Sequence, residues 1–296
     1  MVESKRFSDR LVDFIIYFIV GLLSFLCLIP LLNTLALSFS SSTMASSGTV
    51  MMLPKQFTLA AYDYILREEQ FFRSFGISVE RVLLGGGINF LMTVLCAFPL
   101  AHDKNAFRGR NAYMYVVIFT MLFSGGLVPT YIVVNKVGLM DSIWALVLPS
   151  AVPVWNCILL MNFMRSLPGE LEEAAYIDGA VPFQILIRIA IPVSVPALAT
   201  VTLFSIVGHW NEFFSGLLYI NHNEDYPLAT YVSTLVNSSK DISMLTDPNE
   251  IERIMSVSAR NMSSAKIFIT MVPVLVIYPF LQRYFVKGIV LGSVKG

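Results

Sequence analysis

What most constrains this chain is the recurrence of long apolar runs with no Asp, Glu, Lys or Arg. Crossing about 30 Å of hydrocarbon takes roughly 20 helical residues with few or no charges. Residues 14–37, 82–101, 111–135 and 142–164 each meet that requirement with no charged side chain at all. A fifth run, 189–208, continues through His209, Trp210, Asn211 and Glu212 into a further apolar stretch, so this span is placed at 193–220. A sixth, 267–282, is short and spans only if Lys266 and Arg283 snorkel to the interfaces or face the bundle, which sets its limits at 264–286. The expected fold is all-α and integral to the membrane, with six transmembrane helices.

Composition agrees. Of 296 residues 56% are hydrophobic and 14% charged, against about a quarter charged in soluble domains. The formal net charge is zero and there is no polybasic run, which argues against a nucleic-acid partner. Cys27, Cys96 and Cys157 all lie inside apolar runs, where thiols behave as small hydrophobes; their spacing suggests neither metal ligands nor disulfides. The start, MVESKRFSDR, is basic like a signal sequence, but the apolar run behind it is too long for one, so a retained first span is expected.

Orientation follows from Lys and Arg in short loops. Lys5, Arg6 and Arg10 precede span one, Lys104, Arg108 and Arg110 join spans two and three, and Arg283, Lys287 and Lys295 end the chain. These alternate segments are expected in the cytoplasm, together with both termini and the loop 166–192. The outer loops, 38–81 and 221–263, are long, and loops of that length are usually functional or disordered. The second reads NHNEDY, NSSKD and TDPNEIER, with a short helix expected after Asp247 and Pro248. With no internal repeat, residues 1–296 are expected to form one membrane domain.

Catalytic signatures are missing from the sequence. It has no phosphate loop, and Gly85–Gly87 and Ser124–Gly126 lack the lysine such a loop needs, so they read as close packing or kinks. His102, His209 and His222 are too scattered for a catalytic or metal set. Glu212 is the one carboxylate well inside a span; with His209, Trp210 and Asn211 it fits either the lining of a path for a polar solute or an interfacial belt. Asn33, Asn89, Asn156 and Asn162 suit interhelical hydrogen bonds, and Asn156, beside Trp155, also suits a pore lining.

One polar segment interrupts the apolar chain: EEAAYIDGA, residues 172–180. A Ser166 cap, Pro168 in the first turn and Glu170, Glu172 and Glu173 near the positive end predict a helix from Glu170 to Asp178. Gly179 ends it, and a second short helix is expected over 183–189, stopping at Pro192. So short a helix needs a surface to dock on. Either a partner protein or the neighbouring membrane helices could supply that surface.

The spacing Glu173-Ala174-Ala175, three residues, Gly179, nine residues, Ile189, one residue, Ile191-Pro192 resembles the E-A-A-x3-G-x9-I-x-L-P signature of ATP-binding-cassette importer permeases, with Ile191 in place of Leu. FMRSLPGELEEAAYIDGAVPFQILIRIAIPVSVPAL, GHWNEFFSGLLY and LQRYFVKGIVLGSVKG are similar to the carbohydrate-type members, above all the maltose-type second permease subunit in its complex-oligosaccharide branch. The similarity runs over 14–296, and the segment 238–264 is longer than in the maltose-type chain.

The resemblance implies a type I ABC importer permease in the bacterial cytoplasmic membrane, itself no enzyme and without cofactor, catalytic residue or metal. ATP and Mg would sit on two partner ATPase subunits, which would hold a cytoplasmic coupling helix through Glu172, Glu173, Ala174, Ala175, Asp178 and Gly179. A second permease, an extracytoplasmic solute-binding protein, the lipid bilayer and an oligosaccharide substrate would be the other partners, with Trp155, Asn156, His209, Trp210, Asn211 and Glu212 along the path. A secondary transporter for a polar solute is the alternative. It should show two similar halves or paired mid-membrane charges.

Overall fold

A computed structural model of the chain describes residues 7–103, 107–237 and 259–293. Every regular element among the described residues is helical. Among these residues, three helices are individually long and apolar enough to cross a membrane, and three bent pairs pass the same test together.

The described residues fall into two compact units. The first takes the chain up to Glu69 and returns with Thr234–Met271. It contains α1 (Phe7–Ser38), the short helices α2 (Ser42–Ser46) and α3 (Ala60–Leu66), and the start of α15 (Ala259–Ser293). The last turn of α1 is buried under this lobe, with Ala36 and Leu37 packed on Ala45 and Val50. The Asn261 amide donates to the carbonyls of Leu37 (2.9 Å) and Ser40 (2.6 Å), supplying donors to a helix end that has none of its own. Lys266, which sequence left between snorkelling and facing inward, is buried with its Nζ 2.5 Å from Glu68 Oε2.

The second unit holds Gln70–Ser233 and the chain from Val272 onward. Its long helix α4 (Glu69–Ala101) begins well before Val82, the expected start of span two, so the latter part of the expected outer loop 38–81 is helical. Hydropathy trims a helix at its first charges, and here Glu69, Arg73, Glu80 and Arg81 lie within it.

The expected spans three, four and five are each broken. In span three, α5 (Arg110–Leu122) and α6 (Leu127–Lys136) meet at 114°, and Gly126 at the joint has φ +87°, a left-handed backbone that suits glycine. Span four bends by 46° between α7 (Ile143–Val147) with its following 3-10 turn and α8 (Val154–Arg165), just after Pro153. Ahead of span five, the helix expected over 183–189 is found as α10 (Pro182–Ile185), continued by a π turn (Leu186–Ala190) and α11 (Ile191–Val193), so the helical stretch runs past Pro192. The chain turns 84° at Ser194 before α12 (Val195–Asn211). Pro192 and Pro196 remove two consecutive-turn donors from the ladder, which accounts for a bend at this place rather than a stop at Pro192.

Two further described helices follow α12: α13 (Phe214–Tyr219), and α14 (Leu228–Asn237), whose residues from Thr234 belong to the first unit. The short helix expected after Asp247 and Pro248 lies outside the described residues.

Candidate functional site

The EEAAYIDGA segment forms α9 (Glu170–Ile177), within one residue of the expected helix. Its start differs from expectation. The N-cap is Gly169, with no side-chain cap, while Ser166 ends α8 and gives its hydroxyl to the Phe163 carbonyl (2.7 Å). The acidic first turn, Glu170, Glu172 and Glu173, therefore meets the helix dipole without a capping hydroxyl.

The far end is closed by a Schellman pair. Gly179 has φ +79°, its N–H donates to the Tyr176 carbonyl (3.0 Å), and the Ala180 N–H donates to the Ala175 carbonyl (2.9 Å). Only one side of α9 is held by the rest of the unit. Ala175 is buried in a cluster with Phe98, Leu160, Met164, Ile185 and Leu186. Glu172 is half-buried and its Oε2 lies 3.1 Å from His102 Nε2 at the end of α4. Glu173, Ala174, Tyr176, Asp178 and Gly179 are exposed, and Ile177 is 87% exposed. Leu100, in the last turn of α4, accepts from Arg110 Nε (3.1 Å) and Arg165 Nη2 (3.2 Å), so the foundation under α9 is tied by two cations at a helix C-terminus.

The six residues expected along a solute path separate into two groups. Trp155 is 61% exposed and Asn211 is exposed. Asn156 is buried, its amide donating to the Val201 carbonyl and to Ser205 Oγ (both 3.2 Å), which joins α8 to α12. Trp210 is buried with its ring edge-on to Phe75 (5.7 Å).

His209 is buried too. Its Nε2 donates to Asn89 Oδ1 (2.8 Å), and Asn89 Nδ2 donates to the carbonyls of Ser150 (2.7 Å) and Ala151 (3.0 Å), the groups that the break in span four sets free. A freed carbonyl within the membrane needs such a partner. Gly85 makes room for this arrangement: a Cβ there would stand 2.5 Å from the His209 ring.

Glu212 holds the joint between α12 and α13. One carboxylate oxygen accepts from the Ser215 N–H (2.9 Å), capping α13, and the other accepts from Ser215 Oγ and from Arg81 Nη2 (2.5 Å). Arg81, its side chain 3% exposed, also donates to the carbonyls of Glu212 (2.8 Å) and Leu146 (3.3 Å). Sequence reading missed Arg81 by assigning it to a loop. The signal was available, because a lone carboxylate in a span calls for a partner and Arg81 stands immediately before the apolar edge at Val82.

An all-helical membrane chain with spans broken around buried amides and one capped helix presented beside them has the architecture of a transport component. The chain belongs to the family of binding-protein-dependent transport system inner membrane components, whose model matches residues 2–291. It is 39% identical over 295 residues to Protein LplC of Bacillus subtilis (strain 168), covering 98% of this chain and 96% of that one. It is 36% identical over 289 residues to the polygalacturonan/rhamnogalacturonan transport system permease protein YtcP of the same organism, covering 98% and 100%. Among solved structures, one chain of a bacterial ABC transporter involved in import of the acidic polysaccharide alginate matches with a TM-score of 0.84 and 27% identity, over 96% of this chain and 100% of that one. The expectation of a type I importer permease, a transport subunit rather than an enzyme, stands on these matches. The secondary-transporter alternative falls with them.

Proposed function

We propose that this chain is one of two permease subunits of an ATP-driven importer for oligosaccharides, with both termini in the cytoplasm. The exposed face of α9 carries the proposal: a helix too short to be stable alone is capped, seated on one side through Ala175 and left open on the other through Glu173, Ala174 and Ile177. That open face is the docking surface for an ATPase subunit, which holds ATP and Mg. Glu172 and Gly179 fix the helix's attachment and its end, and Asp178 lies on the rim. A solute-binding protein delivers the sugar from outside.

The oligosaccharide reading rests on the relatives, one named for polygalacturonan/rhamnogalacturonan transport and one belonging to a transporter that imports the acidic polysaccharide alginate. Along the path, Asn211 and Trp155 are the side chains available to a sugar, by hydrogen bonding and by stacking. His209, Trp210, Asn156 and Glu212 act behind them, holding the broken helices that present these two. The test is uptake by proteoliposomes containing the complete complex, offered oligogalacturonides, alginate oligomers, arabino-oligosaccharides and α-glucosides in turn. ATP-dependent accumulation of at least one class is expected, and ATP-independent, ion-gradient-driven uptake would overturn the proposal.

A further inference from the structure

Cys96 and Cys157 stand far apart in the sequence, yet the fold sets them across one helix pair of the second unit. On α4, Thr93, Cys96, Ala97 and Leu100 recur at three- and four-residue spacing and so share a face. Thr93, Ala97 and Leu100 are buried, and Cys96 is half-buried. On α8, Cys157, Leu160, Met161 and Met164 repeat the same spacing, and all four are buried. The two faces meet: Ala97, Leu100, Leu160, Met161 and Met164 belong to one cluster, and Cys96 packs against it.

Two contacts fix the register. Asn89 is bonded to the Ser150 and Ala151 carbonyls at one end, and Arg165 to the Leu100 carbonyl (3.2 Å) at the other. Cys96 and Cys157 each stand seven residues beyond a member of the Asn89–Ser150 contact. In that register their side chains share a hydrogen bond, and both are free thiols. Half-buried Cys96 is within reach of a small neutral oxidant, and buried Cys157 stands behind it as a resolving thiol. The surroundings are apolar, which disfavours a charged product such as a sulfinate and favours a neutral one.

We propose that Cys96 and Cys157 form an oxidisable dithiol that hydrogen peroxide closes to a disulfide, clamping α4 to α8. In the first step the Cys96 sulfur attacks one peroxide oxygen: an S–O bond forms, the O–O bond breaks, and the departing hydroxide takes the thiol proton as water. In the second, the Cys157 sulfur attacks the Cys96 sulfenic acid: the S–S bond forms, the S–O bond breaks, and hydroxide leaves with the Cys157 proton as a second water. The two sulfurs supply the two electrons that reduce the peroxide. The clamp sits under α9, because Phe98 and Leu160, which hold Ala175, follow Cys96 and Cys157 closely on the same two helices. Its effect on transport rests on the reading of α9 as the helix an ATPase moves; the dithiol itself does not.

The test treats the assembled transporter in proteoliposomes with hydrogen peroxide, blocks the remaining thiols with N-ethylmaleimide and maps the unreduced digest by mass spectrometry. A Cys96–Cys157 linked peptide is expected, with exposed Cys27 linked to neither. Uptake should fall several-fold on oxidation and return with dithiothreitol, and Cys96→Ser should keep its uptake through the same treatment. ATPase subunits should stay bound throughout, so a failure of docking on α9 shows separately, as their loss. Cys96 recovered unlinked, as the free thiol or the sulfinic acid, would overturn the proposal, as would linked chains that transport at the untreated rate.

Discussion

His102 Nε2 lies 3.1 Å from the Glu172 carboxylate, while His102 Nδ1 is 2.8 Å from the Phe98 carbonyl in the preceding turn. One imidazole thus bridges the end of α4 and the polar helix α9. If a partner docks on α9 as proposed, this bridge and Ala175 are the contacts through which its displacement would reach α4. Replacing His102 by Ala is expected to lower the amount of solute moved per ATP hydrolysed by about two- to tenfold. The stability loss should stay within about 1 kcal/mol, because a partly exposed pair contributes little. Parallel assays of uptake and ATPase activity in proteoliposomes check this.

Among the described residues of the second unit, Arg81 and Glu212 form the most deeply placed ion pair. Glu212→Leu would leave the buried guanidinium without its carboxylate and is expected to cost about 3–5 kcal/mol. Arg81→Met combined with Glu212→Leu should recover a large part of that loss, since the unpaired buried charge is then gone. Resistance of the purified complex to denaturant-induced unfolding measures both.

Gly85 faces the His209 ring so closely that a methyl group cannot be added without moving it. Gly85→Ala is expected to destabilise by about 1–3 kcal/mol through overpacking and loss of the His209–Asn89 bond. Gly87, with open space around it, should accept Ala with no loss. Comparing the thermal unfolding of the two variants separates packing at this point from a general intolerance of side chains in α4.

Asp141 joins the turn after α6 to the end of α13, its carboxylate accepting from the Asn221 N–H (2.6 Å) and side-chain amide (2.9 Å). These two bonds, the backbone one first, hold its pKa below the usual carboxylate range. A carboxyl whose folded value lies below its unfolded one contributes fully above the unfolded value, and the contribution disappears as pH falls through the folded one. Hydrogen-exchange protection at the Asn221 amide, corrected for intrinsic exchange, should be flat from pH 8 to 5 and fall only in the acid range below. Asp141→Asn should remove that dependence.

The apolar helices, the polar helix and its glycine stop were legible in the sequence, because each rests on a local cause: hydropathy, helix-end charge, a left-handed turn. Ser166 misled because a hydroxyl that suits the start of one helix can equally close the helix before it. The breaks at Gly126 and Pro153 had sequence markers, but Asn89, which satisfies the carbonyls freed in span four, lies on another helix that a single stretch cannot reveal. Arg81 shows the same limit. Its burial is tolerable only because Glu212, Ser215 and two carbonyls converge on it from elsewhere in the chain. Of the residues expected along the path, the sequence could name polar and aromatic side chains near mid-span, but whether each turns inward or outward depends on helix packing.

Docking of an ATPase on α9, as proposed, is tested most directly by Ile177→Asp. The side chain is almost wholly exposed, so membrane insertion and assembly with a second permease should be unchanged. The ATPase subunits should no longer co-purify, and ATP-driven uptake in reconstituted vesicles should fall to background. Retention of the ATPase with uptake at the unsubstituted rate would contradict the account.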